Sequence, residues 1–308
     1  MDNEYFLNEE QLKKDLNRIK EVFDTDLILK EKYSNSKIQK YYTYSSKAYD
    51  LFHSKDGAVH MAINYDGVFD IKGYYQQANE ISEEVGDHFH VLELGSGKGF
   101  NSIALAQKNG SATFKGIDIS KTHLDIANKK AKDLDHLSFN YGDFQNINHE
   151  DNSFDIVFGI EAVCYSEDME QLLKEVHRVL KVGGKFIVYD GFRASDYENE
   201  TTLMKESIAL CEKAMVADQF NHLNDWLKVS GKIGYHIVEN KDISLDVMPN
   251  LKRLYRASHK FYKNKTIAKA VNTVFPSIMV KNSIAGILMA YTIMLKKHSY
   301  NKVVMSKK

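Results

Sequence analysis

The sequence predicts an α/β chain: a seven-stranded, mostly parallel sheet with helices on both faces, an N-terminal helical lid and a helical cap insertion. Three observations lead there. From residue 90 onward, short apolar runs alternate with helical segments. Glycines cluster at the first strand-to-helix turn, and acidic residues stand at or just beyond the ends of the following strands. Such alternation argues for βαβ units around a parallel sheet.

The elements follow in order. Residues 8–32 place Leu12, Leu16, Ile19, Val22 and Phe23 at helical spacing, as an amphipathic helix does. Residues 41–75 are rich in aromatics: Tyr41, Tyr42, Tyr44, Tyr49, Phe52, Tyr65, Phe69, Tyr74 and Tyr75, among His53 and His60. These rings either form a packing layer or line a pocket for an apolar or cationic species. Strands are expected at 90–94, 113–117, 137–141, 154–160, 185–189, 235–243 and 298–305. Helices are expected at 101–108, 121–132 and 169–180, the last ended by Gly183-Gly184. Residues 195–230 read as helical, carry the single tryptophan Trp226, and fit an insertion over the sheet edge. The chain thus divides into a lid (1–80), a cofactor-binding core (81–194), a cap (195–232) and a closing segment of strands with basic amphipathic helices (233–308).

Composition sets the class. Hydrophobic content of 43% and charged content of 27% are those of a globular chain. A net charge of −1 gives no general pull toward nucleic acid. The two cysteines, Cys164 and Cys211, form no framework; they read as free thiols in a reducing compartment, and no metal site is expected. The start Met1-Asp2-Asn3-Glu4 lacks the pattern of a signal peptide. The longest uncharged apolar-rich stretch, 282–295, has 14 residues, whereas a bilayer span takes about 18–20. The expectation is a cytoplasmic protein without a transmembrane helix. Residues 251–308 hold 13 Lys/Arg and no Asp/Glu. They form either a solvated basic face or a peripheral contact with an anionic membrane surface or acidic substrate. Self-association is left open.

Four motif pieces carry the chemistry. Glu93-Leu94-Gly95-Ser96-Gly97-Lys98-Gly99 follows a strand and opens a helix, so the backbone can approach a ligand closely. Its G-x-G-x-G spacing is neither a dinucleotide fingerprint nor a phosphate loop. Asp118-Ile119, with Asp118 23 residues beyond Gly95, ends the next strand and can accept both ribose hydroxyls of an adenosine. Asp143-Phe144 follows the third strand; Asp143 can accept from an adenine amino group while Phe144 packs on the ring. Phe154-Asp155-Ile156-Val157 leads into Ile160-Glu161.

Residues 41–192 resemble the S-adenosylmethionine (SAM)-dependent methyltransferases of class I, and among them the sterol C-24 and related small-molecule enzymes. Ile160-Glu161-Ala162-Val163-Cys164-Tyr165 is similar to that branch's I-E-A-T-C-H. Residues 179–184 resemble V-L-K-P-G-G with Val182 in place of proline, and Tyr189-Asp190 resembles its Y-E pair. Tyr41-Tyr42 and Ala58-Val59-His60-Met61 resemble the elements upstream of the glycine loop. The resemblance implies a Rossmann-like fold and SAM as cofactor. It implies cofactor contacts at Glu93, Gly95, Ser96, Gly97, Asp118, Ile119, Asp143, Phe144, Glu161 and Tyr42. It also implies catalytic groups at Glu161, Tyr165, Asp190 and His60. One departure stands out: Tyr165 occupies the position of a histidine base, and a phenol of pKa near 10 is a poor base at neutral pH. For Glu161 and Asp190 the alternatives are cofactor contact or strand capping, and for His60 a hydrogen-bonded structural role. The acceptor expected is a small apolar molecule, isoprenoid or sterol-like, methylated at carbon. A polar hydroxyl or amine metabolite and a non-catalytic SAM-binding module are the alternatives.

Overall fold

A computed structural model describes residues 8–52, 54, 56–194 and 197–308, leaving aside the side chains of 45–52. The Tyr49 and Phe52 rings and His53 therefore lie outside the described residues.

The described strands are β1 (His90–Leu94), β2 (Thr113–Asp118), β3 (Leu137–Tyr141), β4 (Phe154–Ile160), β5 (Leu180–Arg193), β6 (Tyr235–Asp242) and β7 (His298–Lys307). They form one seven-stranded sheet in the order β3-β2-β1-β4-β5-β7-β6. β1 to β5 pair in parallel, and β7 runs antiparallel between β5 and β6. The central strands read as near-continuous apolar runs because both of their faces are covered. β5 begins earlier than the sequence suggests. Leu180 already pairs with Phe154, and the register slips before Ile156 pairs with Lys185. Gly183 takes φ +79° inside that irregularity, so the glycine pair kinks a strand rather than merely ending a helix.

On one face lie α4 (Gln76–Ser82), α5 (Phe100–Lys108) and α6 (Lys121–Lys130), with Ile81, Leu105 and Ala127 in a core shared with Val91, Phe114 and Phe158. On the other lie α7 (Met169–Val179) and α9 (Leu223–Ile233), with Leu172, Val176 and Trp226 against Leu92, Val157 and Phe186. Residues 195–232, expected as one cap, therefore divide. α9 packs on the sheet because Trp226, fully buried, slots beside Phe192 (ring centroids 5.9 Å apart) and Phe186 (6.4 Å). α8 (Thr202–Ala214) instead joins a helical cluster with α1 (Glu9–Val22) and α2 (Thr25–Lys30).

Between β6 and β7 the chain inserts α10 (Ser244–Tyr262), α11 (Lys265–Val274), α12 (Ser277–Val280) and α13 (Asn282–Met294). The run Ser277–Met294 is long and apolar enough in composition to cross a membrane. Within it, α13 is buried against α1, α8 and α10, so its apolar character serves a core. Asp15, a buried carboxylate on α1, accepts from the hydroxyls of Tyr255 (2.9 Å) and Tyr291 (2.8 Å) and from Arg18 (2.9 Å). These bonds satisfy its charge and fasten α1 to α10 and α13. A further helix, α3 (Asn35–Phe52), crosses the C-terminal ends of the strands.

Trp226→Ala should cost about 3–5 kcal/mol of unfolding free energy, the range for emptying a large buried aromatic site. Denaturant unfolding checks it; a loss below about 1 kcal/mol would show that α9 does not complete this core.

Candidate cofactor and acceptor site

The loop after β1 is shaped by glycine backbone conformations. Gly95 has φ +65° and Gly97 φ +51°, which L side chains rarely adopt. A Cβ on Gly95 would stand 2.7 Å from the Ala162 Cβ, whereas one on Gly97 would meet nothing within 4 Å. Gly95 thus lets the β1 and β4 loops touch, and Gly97 borders open space where a ligand can reach the backbone.

Asp118, at the end of β2, holds this loop. Its Oδ2 accepts from the Gly97 N–H (2.8 Å) and its Oδ1 from the Ser120 N–H (2.7 Å). Burial raises its pKa, and the two backbone N–H groups oppose that rise. Each carboxylate oxygen can accept more than one hydrogen bond, so both retain capacity for hydroxyls of a ligand. Beside it a cleft of about 600 Å³ is lined by Gln39, Thr43, Ile119, Ser120, Lys121, Thr122 and Tyr141. Ser120 caps α6 through its Oγ (3.4 Å to His123 N).

α3 roofs this cleft. Gln39 donates to the Ile119 carbonyl (2.9 Å), and Asn35 reaches Asp143 Oδ2 (3.4 Å). Tyr42 donates to the Tyr165 hydroxyl (3.0 Å), which donates to the Met215 carbonyl (3.1 Å). The Tyr42 ring also meets the rings of His123 (5.8 Å) and Tyr165 (5.9 Å) edge to face. Asp143 Oδ1 accepts from Gln145 N (2.9 Å), setting the turn that carries Phe144.

Glu161 stands at the end of β4 with φ +48°, a left-handed conformation that costs a non-glycine residue about 1–2 kcal/mol. Its N–H donates to the Tyr189 carbonyl (2.8 Å). Its Oε1 accepts from the Met61 N–H (2.6 Å) and from the Tyr300 hydroxyl (2.8 Å). Among the described residues nothing donates to Oε2. Burial pushes the carboxyl up to about 8; the Met61 N–H pulls it down, the neighbouring Asp190 charge adds to the rise, and the Tyr300 hydroxyl opposes it.

Three expected site residues, Glu93, Asp190 and His60, are buried and bonded within the protein. Glu93 is buried under the loop, accepting from Asn101 Nδ2 (3.1 Å), Ser102 N (3.2 Å) and Ser102 Oγ (2.5 Å). It anchors the start of α5, and burial pushes it up to about 7. Asp190, also buried, accepts from Cys164 N (3.0 Å) and Gly191 N (2.8 Å), clamping the β4 loop to β5; burial pushes it up to about 6. The His60 ring is buried beside the rings of Tyr74 and Phe100 (centroids 6.2 and 5.6 Å away), with Nε2 at 2.9 Å from the Tyr74 carbonyl. Ser96 is buried too, its Cβ turned toward Gly116 rather than the open side of the loop.

The residues that sequence reasoning missed are Tyr300, Gln39, Gln77 and Asn250. Gln77 donates to the Met61 carbonyl (2.7 Å) and Asn250 accepts from the Ala62 N–H (3.0 Å), so both pin the segment that presents Met61 to Glu161. Tyr300 reaches Glu161 because β7 inserts beside β5, with Tyr300 opposite Gly191. No local pattern marks any of them.

A glycine loop, a strand-end carboxylate and a roofed cleft at the carboxyl edge of a parallel sheet define a nucleotide-type cofactor-binding α/β protein. Residues 92–188 match the family described as a methyltransferase domain. Over those residues, about a third of the chain, the sequence is similar to a methyltransferase domain. It is 28% identical to methyltransferase GfsG of Streptomyces halstedii over 52% of this chain and 57% of that protein. It is 32% identical to a sterol 4-C-methyltransferase of Caenorhabditis elegans over 38% of this chain and 35% of that one. The chain spans less than two thirds of the length of either relative. The cyclopropane synthase MmaA2 of Mycobacterium tuberculosis shares the fold with a TM-score of 0.75 at 12% identity, over 90% of this chain and 100% of that one. So does a geranyl diphosphate C-methyltransferase of Streptomyces coelicolor, whose structure holds S-adenosyl-L-homocysteine (TM-score 0.65, 14% identity, 89% and 97% covered).

The raised Glu161 pKa has a consequence for stability. Below about 4.5 the carboxyl is protonated in both folded and unfolded chains; between 4.5 and about 8 only the folded chain keeps the proton. The linked stability is therefore full below 4.5 and falls as pH rises through this window. Glu161→Gln removes that loss, so the melting temperature of the variant relative to wild type should climb from pH 5 to pH 9. A pH-independent difference would contradict it.

Proposed function

We propose that this chain transfers the methyl group of SAM to a carbon atom of a small, apolar, isoprenoid- or sterol-like acceptor. The observation that carries this reading is Glu161: a carboxyl with one oxygen fixed by the Met61 N–H and the Tyr300 hydroxyl, and its pKa pushed toward the working range of a base.

When bound, SAM supplies an electrophilic sulfonium methyl. The fit is supported by the open space beside Gly97 and the cleft next to Asp118. Asp118 would hold the ribose hydroxyls, Asp143 and Phe144 the adenine, and the backbone at Gly95 and Gly97 the remainder. The roof formed by α3 excludes water and orients the acceptor, an effect that can contribute several kcal/mol. Attack by an alkene carbon leaves positive charge on the acceptor and requires a proton to depart. The π-faces of Tyr42 and Tyr165 suit such a cation, and Glu161, once ionised, takes the proton. Since Tyr165 both accepts from Tyr42 and donates to Met215, it is held as a wall rather than freed as a base. The sterol C-methyltransferase relative supports the acceptor class.

Labelled-methyl transfer tests it directly. With the full chain and methyl-labelled SAM, label should enter the apolar lipid fraction of a cell extract. Asp118→Ala should lower incorporation at limiting SAM by about 10-fold or more, the scale on which loss of an orienting contact acts. Label in the polar metabolite pool alone, or no transfer by wild type, would contradict the proposal.

A further inference from the structure

The structure narrows the basic C-terminal segment to one surface. Its β7 and α13 are built into the core, and Lys281 is buried against Glu31 (2.7 Å). What faces solvent is α10, α11 and the turn into α12. On α10, Lys252, Arg256 and Lys260 recur every four residues and are exposed, and Lys263 follows at the helix end. α11 buries Ala268 and bonds Asn272 Nδ2 to the Val22 carbonyl (3.3 Å), so its inner side is committed to α1. Its outer edge leaves Ile267 58% and Val274 75% exposed, one helical stripe, with Phe275 49% exposed just beyond. Lys269 is exposed on the same helix, while Lys265 is engaged with Glu21 (3.4 Å). After Asp246 the sequence contains no carboxylate side chain to its end.

We propose that this edge docks on an anionic lipid bilayer, with Lys252, Arg256, Lys260, Lys263 and Lys269 meeting the headgroups and Ile267, Val274 and Phe275 inserting at the acyl boundary. Basic residues on α10 and α11 beside the exposed apolar stripe of α11 match the charge and polarity of that interface. A nucleic-acid polymer would use the charge but has no place for the three apolar side chains. The edge also leads inward. Ile278, in α12, packs against the cluster of Tyr33, Ile38, Tyr41 and Val216 that Tyr42 and Tyr165 also contact. An acceptor leaving the bilayer would meet the roof helix and the tyrosine wall first; this second step rests on the apolar-acceptor reading, whereas docking does not.

Vesicle flotation with the full chain separates the two. Vesicles of phosphatidylcholine with about 30% phosphatidylglycerol should carry wild type at least about 10-fold better than phosphatidylcholine alone, and about 0.5 M salt should weaken the effect. The triple variants Lys260→Glu/Lys263→Glu/Lys269→Glu and Ile267→Asp/Val274→Asp/Phe275→Asp change only exposed side chains. Each should lose flotation by about 10-fold while keeping wild-type melting and S-adenosylhomocysteine binding. Failure of wild type to float, or wild-type flotation by either variant, would overturn the proposal. So would equally tight binding to a DNA duplex that the aspartate variant retains. Flotation without methyl transfer to lipids would leave docking standing and reject the acceptor class.

Discussion

The site depends on one carboxylate. Asp118 joins two segments that the parallel sheet only brings near each other: the Gly97 N–H after β1 and the Ser120 N–H before α6. A half-buried carboxylate accepting two backbone N–H groups is well compensated, and it fixes the glycine loop in its left-handed turns. The same connection sets the roof. Ile119, the next residue, offers its carbonyl to Gln39 of α3. Loop, floor and roof of the cleft therefore refer to one point at the end of β2.

A second carboxylate, Glu161, stands under a different constraint. β7 enters between β5 and β6 rather than at the edge, which sets Tyr300 beside Gly191 and within reach of Glu161. Glu161 is held from three directions: its own β4 backbone, the Met61 segment and β7. Asp190 lies nearby but is buried, with its two oxygens turned to the backbone N–H groups of Cys164 and Gly191. The two neighbouring acidic residues thus differ: Asp190 builds the loop, and Glu161 keeps one oxygen to which no described residue donates.

The sheet and the geometry of the candidate cofactor loop were legible in the sequence, because both are written locally. Strand periods, the glycine loop, Asp118 and Asp143-Phe144 each sit within a few residues of their structural consequence. The acceptor half was less legible. Glu161 and Tyr165 stood out by resemblance, but their partners Tyr300 and Met215 are distant in the chain, and pairings of that kind leave no periodic signal. Glu93, Asp190 and His60 are of the residue types used for chemistry, yet burial turns them into fasteners, and burial is decided by the assembled fold. Trp226 illustrates the same point for packing: its helix could cover a cleft or a sheet, and only the apolar face of β5, with Phe186 and Phe192, decides for the sheet. The apolar run around 282–295 likewise became the wall of a helical core.

If the Asp118-centred loop is the cofactor site and α3 its roof, a bound cofactor must order both together. Hydrogen–deuterium exchange with and without S-adenosylhomocysteine measures this on the unmodified chain. The account predicts slowed exchange at residues 95–99, 118–120 and 143–145 together with 35–44. No protection in these segments, or protection of the roof without the glycine loop, would contradict it.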